Sequence, residues 1–286
     1  MRTNKSLVVL ITGCSSGLGR ALAVEFANQG HTVFATARRV GDIEDIAGGH
    51  ITVLQLDVTD SSSIALALQI VTGQAKRIDL LVNNAGFGLM GPVLELPLNE
   101  IRLQFETNVF GPLALVQAVA PYMVKQRSGR IVNVGSVSGV LTSPFAGPYC
   151  ASKAALHSLS DAMRLEMAPL GIKVIVLQPG KITSKFGDTA TRILKELIPK
   201  NSLYSPIVQY MEKRARAGQV GALEATKFAG RIVTAVTSQK PPPLLRFGKN
   251  SWAMPFYKWA FPIPMLDSVL RKLFGLHLLQ HPSTKN

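Results

Sequence analysis

Little in this sequence points to a metal. Its two cysteines, Cys14 and Cys150, and its five histidines are too few and too scattered to form a ligand cluster. Both cysteines fall inside short motifs whose chemistry calls on other residues. Neither a disulfide framework nor a zinc site is therefore expected, and a reducing, cytoplasmic compartment is. Charge is scarce, at 17% of residues against 47% apolar, which allows a large core. Negative charge is scarcest: 17 acids stand against 31 lysines and arginines, for a net charge of +14. That imbalance favours an anionic partner such as a phosphate cofactor or a lipid headgroup. Nucleic acid is excluded as a partner, because there is no recognition motif and the first half has no basic run with interleaved aromatics. No stretch reaches the ~18 uncharged apolar residues of a membrane span. The apolar run of residues 7–11 is too short for a signal peptide. There are no internal repeats and no interdomain linker.

What is present is a series of strands, each running into small or polar residues. Residues 7–11 are continuously apolar, as in a parallel strand covered on both faces. They enter the turn Thr12-Gly13-Cys14-Ser15-Ser16-Gly17-Leu18-Gly19, then a helix with Ala21, Leu22, Val24, Phe26 and Ala27, then a strand over 32–35. Strand, Gly-rich turn, helix and strand in about thirty residues form a βαβ nucleotide-binding unit. Its glycines let the backbone approach a pyrophosphate, and the helix N-terminus favours the negative charge. An NAD-specific unit wants an acid after the second strand. Arg38 and Arg39 stand there instead and suit a 2′-phosphate, unless they are only an exposed basic turn.

A third strand over 51–56 ends in Asp57-Val58, where Asp57 either meets an adenine amino group or caps the next helix. A fourth, over 79–82, ends in Asn83-Asn84-Ala85-Gly86, whose amides face a ligand, satisfy the local turn, or both. A long helix over 99–127 carries Asn108 among apolar neighbours, so a partner and a kink are expected there. The fifth strand, 130–134, ends in Gly135-Ser136-Val137-Ser138-Gly139, and the sixth, 173–177, in Gln178-Pro179-Gly180-Lys181-Ile182-Thr183. In a parallel sheet these ends share the edge where ligands bind. Residues 184–220 are basic and read as a lid. A helix over 222–236 and a short strand over 244–247 follow.

Tyr149 and Lys153 sit four apart at the start of an apolar helix, hence on one face. A free phenol titrates near pH ~10, and a nearby ammonium is expected to lower that value. The pair then becomes a proton donor or acceptor for a carbonyl–alcohol couple.

Residues 249–286 crowd Trp252, Met254, Phe256, Tyr257, Trp259 and Phe261 between prolines. An apolar helix flanked by Arg271 and Lys272 follows. Three readings stay open: an amphipathic anchor on a membrane surface, a wall of a greasy substrate pocket, or a terminal helix packed on the core.

Over residues 6–247 these motifs, in this order and with Ser136 thirteen residues before Tyr149, resemble the classical short-chain dehydrogenases/reductases. The resemblance is to the branch of 17β-hydroxysteroid dehydrogenases, retinol dehydrogenases and 1-acyldihydroxyacetone phosphate reductases. It implies an α/β Rossmann-type doubly wound parallel sheet of about seven strands, with a catalytic domain over 1–248 and a C-terminal helical extension over 249–286. It also implies roles. Tyr149 exchanges the proton, Lys153 lowers its pKa and holds the nicotinamide ribose, Ser136 binds the substrate oxygen, and Asn108 perturbs its helix and holds a water in a relay to Lys153. Gly13, Ser15, Ser16, Gly17, Leu18 and Gly19 cradle the pyrophosphate. Asp57 and Val58 face the adenine; Asn84, Ala85, Gly86, Pro179, Gly180 and Ile182 line the cofactor; Thr183 touches the carboxamide. Lys181 stands where the family often has an apolar residue, within reach of an anionic group. The expected activity is NADP(H)-dependent interconversion of a hydrophobic steroid, retinoid or lipid ketone or aldehyde and its alcohol by a homodimer or homotetramer, with peripheral membrane contact through the extension. Alternatives are a lipid-phosphate ketone reductase that uses the basic lid and, from another class, a scaffold or sensor that binds NADP without turnover.

Overall fold

The computed structural model describes residues 6–279. Seven parallel strands form one sheet: β1 (Val8–Ile11), β2 (Thr32–Ala37), β3 (Ile51–Gln55), β4 (Leu80–Asn83), β5 (Gly129–Val134), β6 (Ile172–Pro179) and β7 (Leu244–Phe247). Their order is β3-β2-β1-β4-β5-β6-β7. The direction of winding reverses between β1 and β4, and that reversal opens a crevice at the carboxyl edge. β1 and β4 are buried along their whole length, which accounts for the apolar runs Val8–Ile11 and Leu80–Val82.

Helices cover both faces. Helices α1 (Gly17–Asn28) and α8 (Thr226–Thr237) close one core through Leu22, Phe26, Ile232 and Val233. The opposite core is closed by α2 (Ser61–Ala75), α4 (Gly111–Gln126) and α5 (Gly147–Met167), through Leu68, Leu115, Val119 and Met163. α8 begins four residues later than the apolar pattern suggests, because 222–225 form part of the strap that returns from the lid.

The long helix is three pieces. α3 (Leu98–Phe105) passes through a single π turn (Glu106–Phe110) into α4. The expected kink at Asn108 is therefore a π insertion, a common device where a helix must turn a side chain toward a site. By length and composition Leu98–Gln126 could cross a membrane, but 44% of its apolar window is buried and it forms the wall of the second core.

The lid consists of α6 (Phe186–Leu197) and α7 (Val208–Arg216), which pack with the start of α5 into a third cluster. The extension forms α9 (Ala253–Ala260) and α10 (Ile263–Leu273). It is stitched to the sheet at its root: Lys181 donates its main-chain N–H to the Lys249 carbonyl at 3.1 Å, and Ser251 is buried.

Candidate active site

The Gly-rich turn leaves β1 at the crevice. Gly13 has φ +72°, and a Cβ there would meet the Ala85 Cα at 2.8 Å, so the turn closes directly onto the end of β4. Asn84 holds it shut. Its amide donates to the carbonyls of Thr12 and Gly13, both at 2.9 Å, and a Cβ on Gly19 would strike that same amide. Thr12 Oγ1 accepts the N–H groups of Asn84 and Ala85 at 3.0 Å. Of the two roles open to the Asn84 amide, the structure shows the turn-binding one.

This turn fits a diphosphate. α1 begins with no side-chain hydrogen bond from its cap residue Ser16 and no acid in its first turn, so its leading N–H groups and positive end face the crevice. Arg38 and Arg39 follow β2 at the same edge, both exposed. Arg39 is engaged by Asp42 at 3.1 Å. Among the described residues no ion pair or side-chain hydrogen bond engages Arg38. Asp57 does not cap α2; Asp60 does, accepting the Ser62 N–H at 2.8 Å. Asp57 instead folds its carboxylate onto Thr59, and Val58 is buried beneath it.

On the other side of the crevice, α5 starts next to the end of β5. Tyr149, Lys153 and His157 lie on one stripe at four-residue intervals. Tyr149 and Lys153 are 8% and 5% exposed. Lys153 Nζ donates to the Val134 carbonyl at 2.8 Å. Burial alone pulls its pKa down to about 8. The expected lowering of the Tyr149 pKa is reversed in this structure. Burial raises it, the adjoining Ser136 hydroxyl and the Arg214 charge oppose that rise, and Cys150 adds to it. Desolvation of a phenol in this apolar setting outweighs the Ser136 hydrogen bond and the Arg214 charge. Ser136 Oγ accepts the Ser138 N–H at 3.1 Å, so its own hydrogen is left to donate.

Asn108 is buried in the π turn. Its Oδ1 accepts the Phe87 N–H at 3.2 Å, and its amide hydrogens go to the Phe87 carbonyl and to Ser152 Oγ. Both donors of the side chain are thus committed, one to the loop after Gly86 and one to α5. Gly86 passes so close that a Cβ would lie 2.9 Å from Asn108 Oδ1 and 3.6 Å from Lys153 Nζ.

The loop after β6 is clamped rather than open. Gly180 donates to the Phe247 carbonyl at 2.8 Å, Thr183 to the Leu223 carbonyl at 3.0 Å, and Ile182 pairs with Leu223. Lys181, expected to reach an anionic group, donates its Nζ to the Val220 carbonyl at 3.3 Å. Ser184 lies over Gly17. Two lid cations are engaged elsewhere: Arg192 pairs with Glu196 and Lys195 with Glu212.

Four side chains at the site were not singled out from the sequence. His157 accepts the Ser136 main-chain N–H, and the spacing along α5 could have revealed it. Arg214, reaching in from α7, donates to Ser143 Oγ at 2.7 Å. Phe186 stands over the Tyr149 ring at a centroid distance of 5.3 Å. Gln104 ties down the loop after β4 through the Leu89 N–H and the Phe87 carbonyl. The last three depend on long-range packing that leaves no local signal. Phe145, which shares a cluster with Tyr149, also lines an open apolar depression of about 620 Å³ with Pro92, Val93, Leu94, Tyr204 and Leu276. Both cysteines are buried and free.

The sequence profile of the short chain dehydrogenases matches residues 7–193. A 3-ketodihydrosphingosine reductase of Bacteroides thetaiotaomicron is 36% identical over 239 residues, covering 82% of this chain and 85% of that one. Human 17-beta-hydroxysteroid dehydrogenase type 1 is 32% identical, covering 94% and 86%. Among solved structures, a short-chain dehydrogenase from Streptomyces avermitilis superposes with a TM-score of 0.76 at 31% identity, over 96% of this chain and 98% of that one.

Proposed function

The chain belongs to the short chain dehydrogenases, a family of oxidoreductases acting on CH–OH groups, and on that premise we propose that it reduces a hydrophobic steroid, retinoid or lipid ketone to its alcohol with NADPH. The observation that carries this reading is the setting of Tyr149. It is a buried phenol held in its protonated form, with the Ser136 hydroxyl beside it and apolar side chains of the lid packed around it. A proton donor must hold its proton until the substrate oxygen gains charge, and burial does this.

NADPH, when bound, supplies the hydride. The chain's own residues do the rest. The α1 N-terminus and the Gly13–Gly19 turn bind the diphosphate, and Arg38 meets the 2′-phosphate. Ser136 donates its hydroxyl hydrogen to the substrate oxygen, which stabilises the charge that develops there. Tyr149 delivers the proton to that oxygen. Lys153, with one N–H fixed on Val134, turns its remaining two to the ribose hydroxyls. Asn108 and Gln104 hold the loop after β4 rigid. Phe186 and the lid keep water from the phenol. One relative is named for a ketodihydrosphingosine and another for a hydroxysteroid, and the apolar lining of the depression beside Phe145 suits a hydrophobic substrate of that kind.

Exposed Leu103, Phe110 and Leu165 on α3, the π turn and α5 support a homodimer or homotetramer built on those helices. A screen of hydrophobic ketones and alcohols against both nicotinamide dinucleotides tests the reading. The expected result is turnover on apolar ketones with NADPH; no consumption of either cofactor across the panel would return the chain to the class of binding proteins.

One observation favours a second reading, a lipid-phosphate ketone reductase. Arg214 is a lid cation whose charge reaches the Tyr149 phenol, where the phosphate of such a substrate would lie.

A further inference from the structure

The extension behaves as two parts. Phe274, Leu276 and Leu279 turn back onto the cluster that contains Tyr149. The helices before them do not pack inward: α9 and α10 bury no residue at all. Trp259 is 83% exposed and Ile263 65%. On α10, Met265, Val269 and Leu273 recur every four residues and form one stripe, each more than half exposed. Asp267 and Arg271 lie on the other side of α10, and Ser268 and Lys272 flank the stripe. No described segment of the chain covers the stripe. A contiguous apolar and aromatic surface of this kind, rimmed by polar residues, marks a docking face.

Charge and composition select the occupant. Between residues 249 and 279, Lys249, Lys258, Arg271 and Lys272 stand against the single acid Asp267, in a chain of net charge +14. A second copy would press two cationic surfaces together. Anionic headgroups complement the charge, and the Trp and Tyr side chains suit the boundary between headgroups and acyl chains. We propose that α9 and α10 dock on an anionic lipid surface, with the Met265–Val269–Leu273 stripe and Trp259 seated below the headgroups. A consequence, which rests on the ketone-reductase reading, is that Phe274 and Leu276 join the membrane-facing helices to the cluster that contains Tyr149, so that a lipid-soluble substrate enters without crossing water.

The test needs no turnover. The full chain is sedimented with phosphatidylcholine vesicles with and without phosphatidylserine, and its emission is followed, since both tryptophans of the protein lie in this segment. Co-sedimentation with the phosphatidylserine vesicles and a blue shift of the emission are expected. Each of Lys258→Ala, Arg271→Ala and Lys272→Ala is expected to weaken binding about fivefold. Val269→Asp with Leu273→Asp is expected to weaken it at least about tenfold, with an unchanged melting transition as the control for folding. The proposal is overturned if the protein stays in solution with both vesicle types, or if binding survives the double substitution. It is also overturned if that substitution splits an oligomer and leaves vesicle binding intact, which would assign the face to a second copy.

Discussion

The imidazole of His157 accepts the main-chain N–H of Ser136 through Nε2 at 3.3 Å. The ring fits there because Gly135 and Gly139 have no side chains: a Cβ on Gly139 would lie 2.7 Å from His157 Cε1, and one on Gly135 would strike Nε2. Burial, reinforced by the Lys153 charge, lowers the His157 pKa to about 4, while Asp161 opposes the shift and Arg246 adds to it. The ring therefore stays neutral and keeps a lone pair for the N–H. His157 acts through Ser136 as a positioning residue.

Replacing His157 with Leu leaves that N–H without its partner. Carbonyl-reduction kcat is expected to fall roughly tenfold with dinucleotide affinity unchanged, and Gln, which can accept through its side-chain oxygen, is expected to recover part of the loss. Stability carries a second signature. The unfolded chain protonates this histidine near its ordinary 6.5, and the folded chain not until about 4. Between those values the unfolded state binds more protons, so stability falls as pH drops through the window. Unfolding midpoints measured across it should show a steeper decline for the wild type than for His157→Gln.

Lys153 is a case of function held at the expense of stability. Its folded pKa of about 8 lies below the ordinary 10.5, so the folded state resists a proton that the unfolded state binds. Below about pH 8 the full penalty of roughly 3 kcal/mol applies, and it vanishes as pH rises through 10.5. Lys153→Met removes that penalty but forfeits the bond to Val134, worth about 1 kcal/mol. The variant is expected to be about 2 kcal/mol more stable at neutral pH by denaturant titration, and nearly inactive.

Much of this arrangement was legible in advance. The inner strands could be placed because a strand buried on both faces is largely apolar, and their polar ends announced a common edge. Tyr149 and Lys153 were legible from helix geometry, and Ser136 from its place at a strand terminus together with the family resemblance. The direction of the Tyr149 shift was not. It depends on how completely Phe186 and the lid shield the ring, which residues 184–220 do not disclose. The partners of Lys181 and Asp57 were equally hidden. The first is a main-chain carbonyl 39 positions away, and the second is a choice between two nearby acids that only the path of the turn decides.

Tyr149→Phe keeps the ring that packs on Phe186 and removes only the hydroxyl. Turnover is expected to drop by about two to four orders of magnitude, with dinucleotide binding and melting temperature retained. Because burial holds the wild-type phenol above its ordinary value, the reduction rate is expected to stay level through neutral pH. It should fall above about pH 8, where Lys153 loses its charge. A reduction rate that rises steadily with pH would show the phenolate, and not the phenol, to be the working form.

The two arginines after β2 are predicted to differ. Arg39 is already engaged by Asp42, whereas Arg38 is exposed at the same edge. Arg38→Ala is expected to cut the preference for NADPH over NADH by about ten- to a hundredfold, the worth of one charge-assisted contact to the 2′-phosphate. Arg39→Ala should change it far less. Equal effects of the two substitutions on the ratio of kcat/KM values would mean that the Asp42 pair opens when the dinucleotide binds.

Arg214 separates the two substrate readings. It reaches the site from α7, donates to Ser143 Oγ, and lowers the pKa of both Tyr149 and Cys150 by its charge. If a phosphate is part of the substrate, Arg214→Leu removes its counter-ion. KM for a phosphorylated lipid ketone should then rise by about ten- to a hundredfold, while KM for a neutral steroid ketone of similar bulk stays within about twofold. If the substrate is neutral, the same variant acts only through the phenol. Losing a cation leaves Tyr149 still harder to ionise, so reduction persists and the reverse oxidation slows. Paired kinetics in both directions, on one phosphorylated and one neutral ketone–alcohol couple, give these two patterns no common outcome.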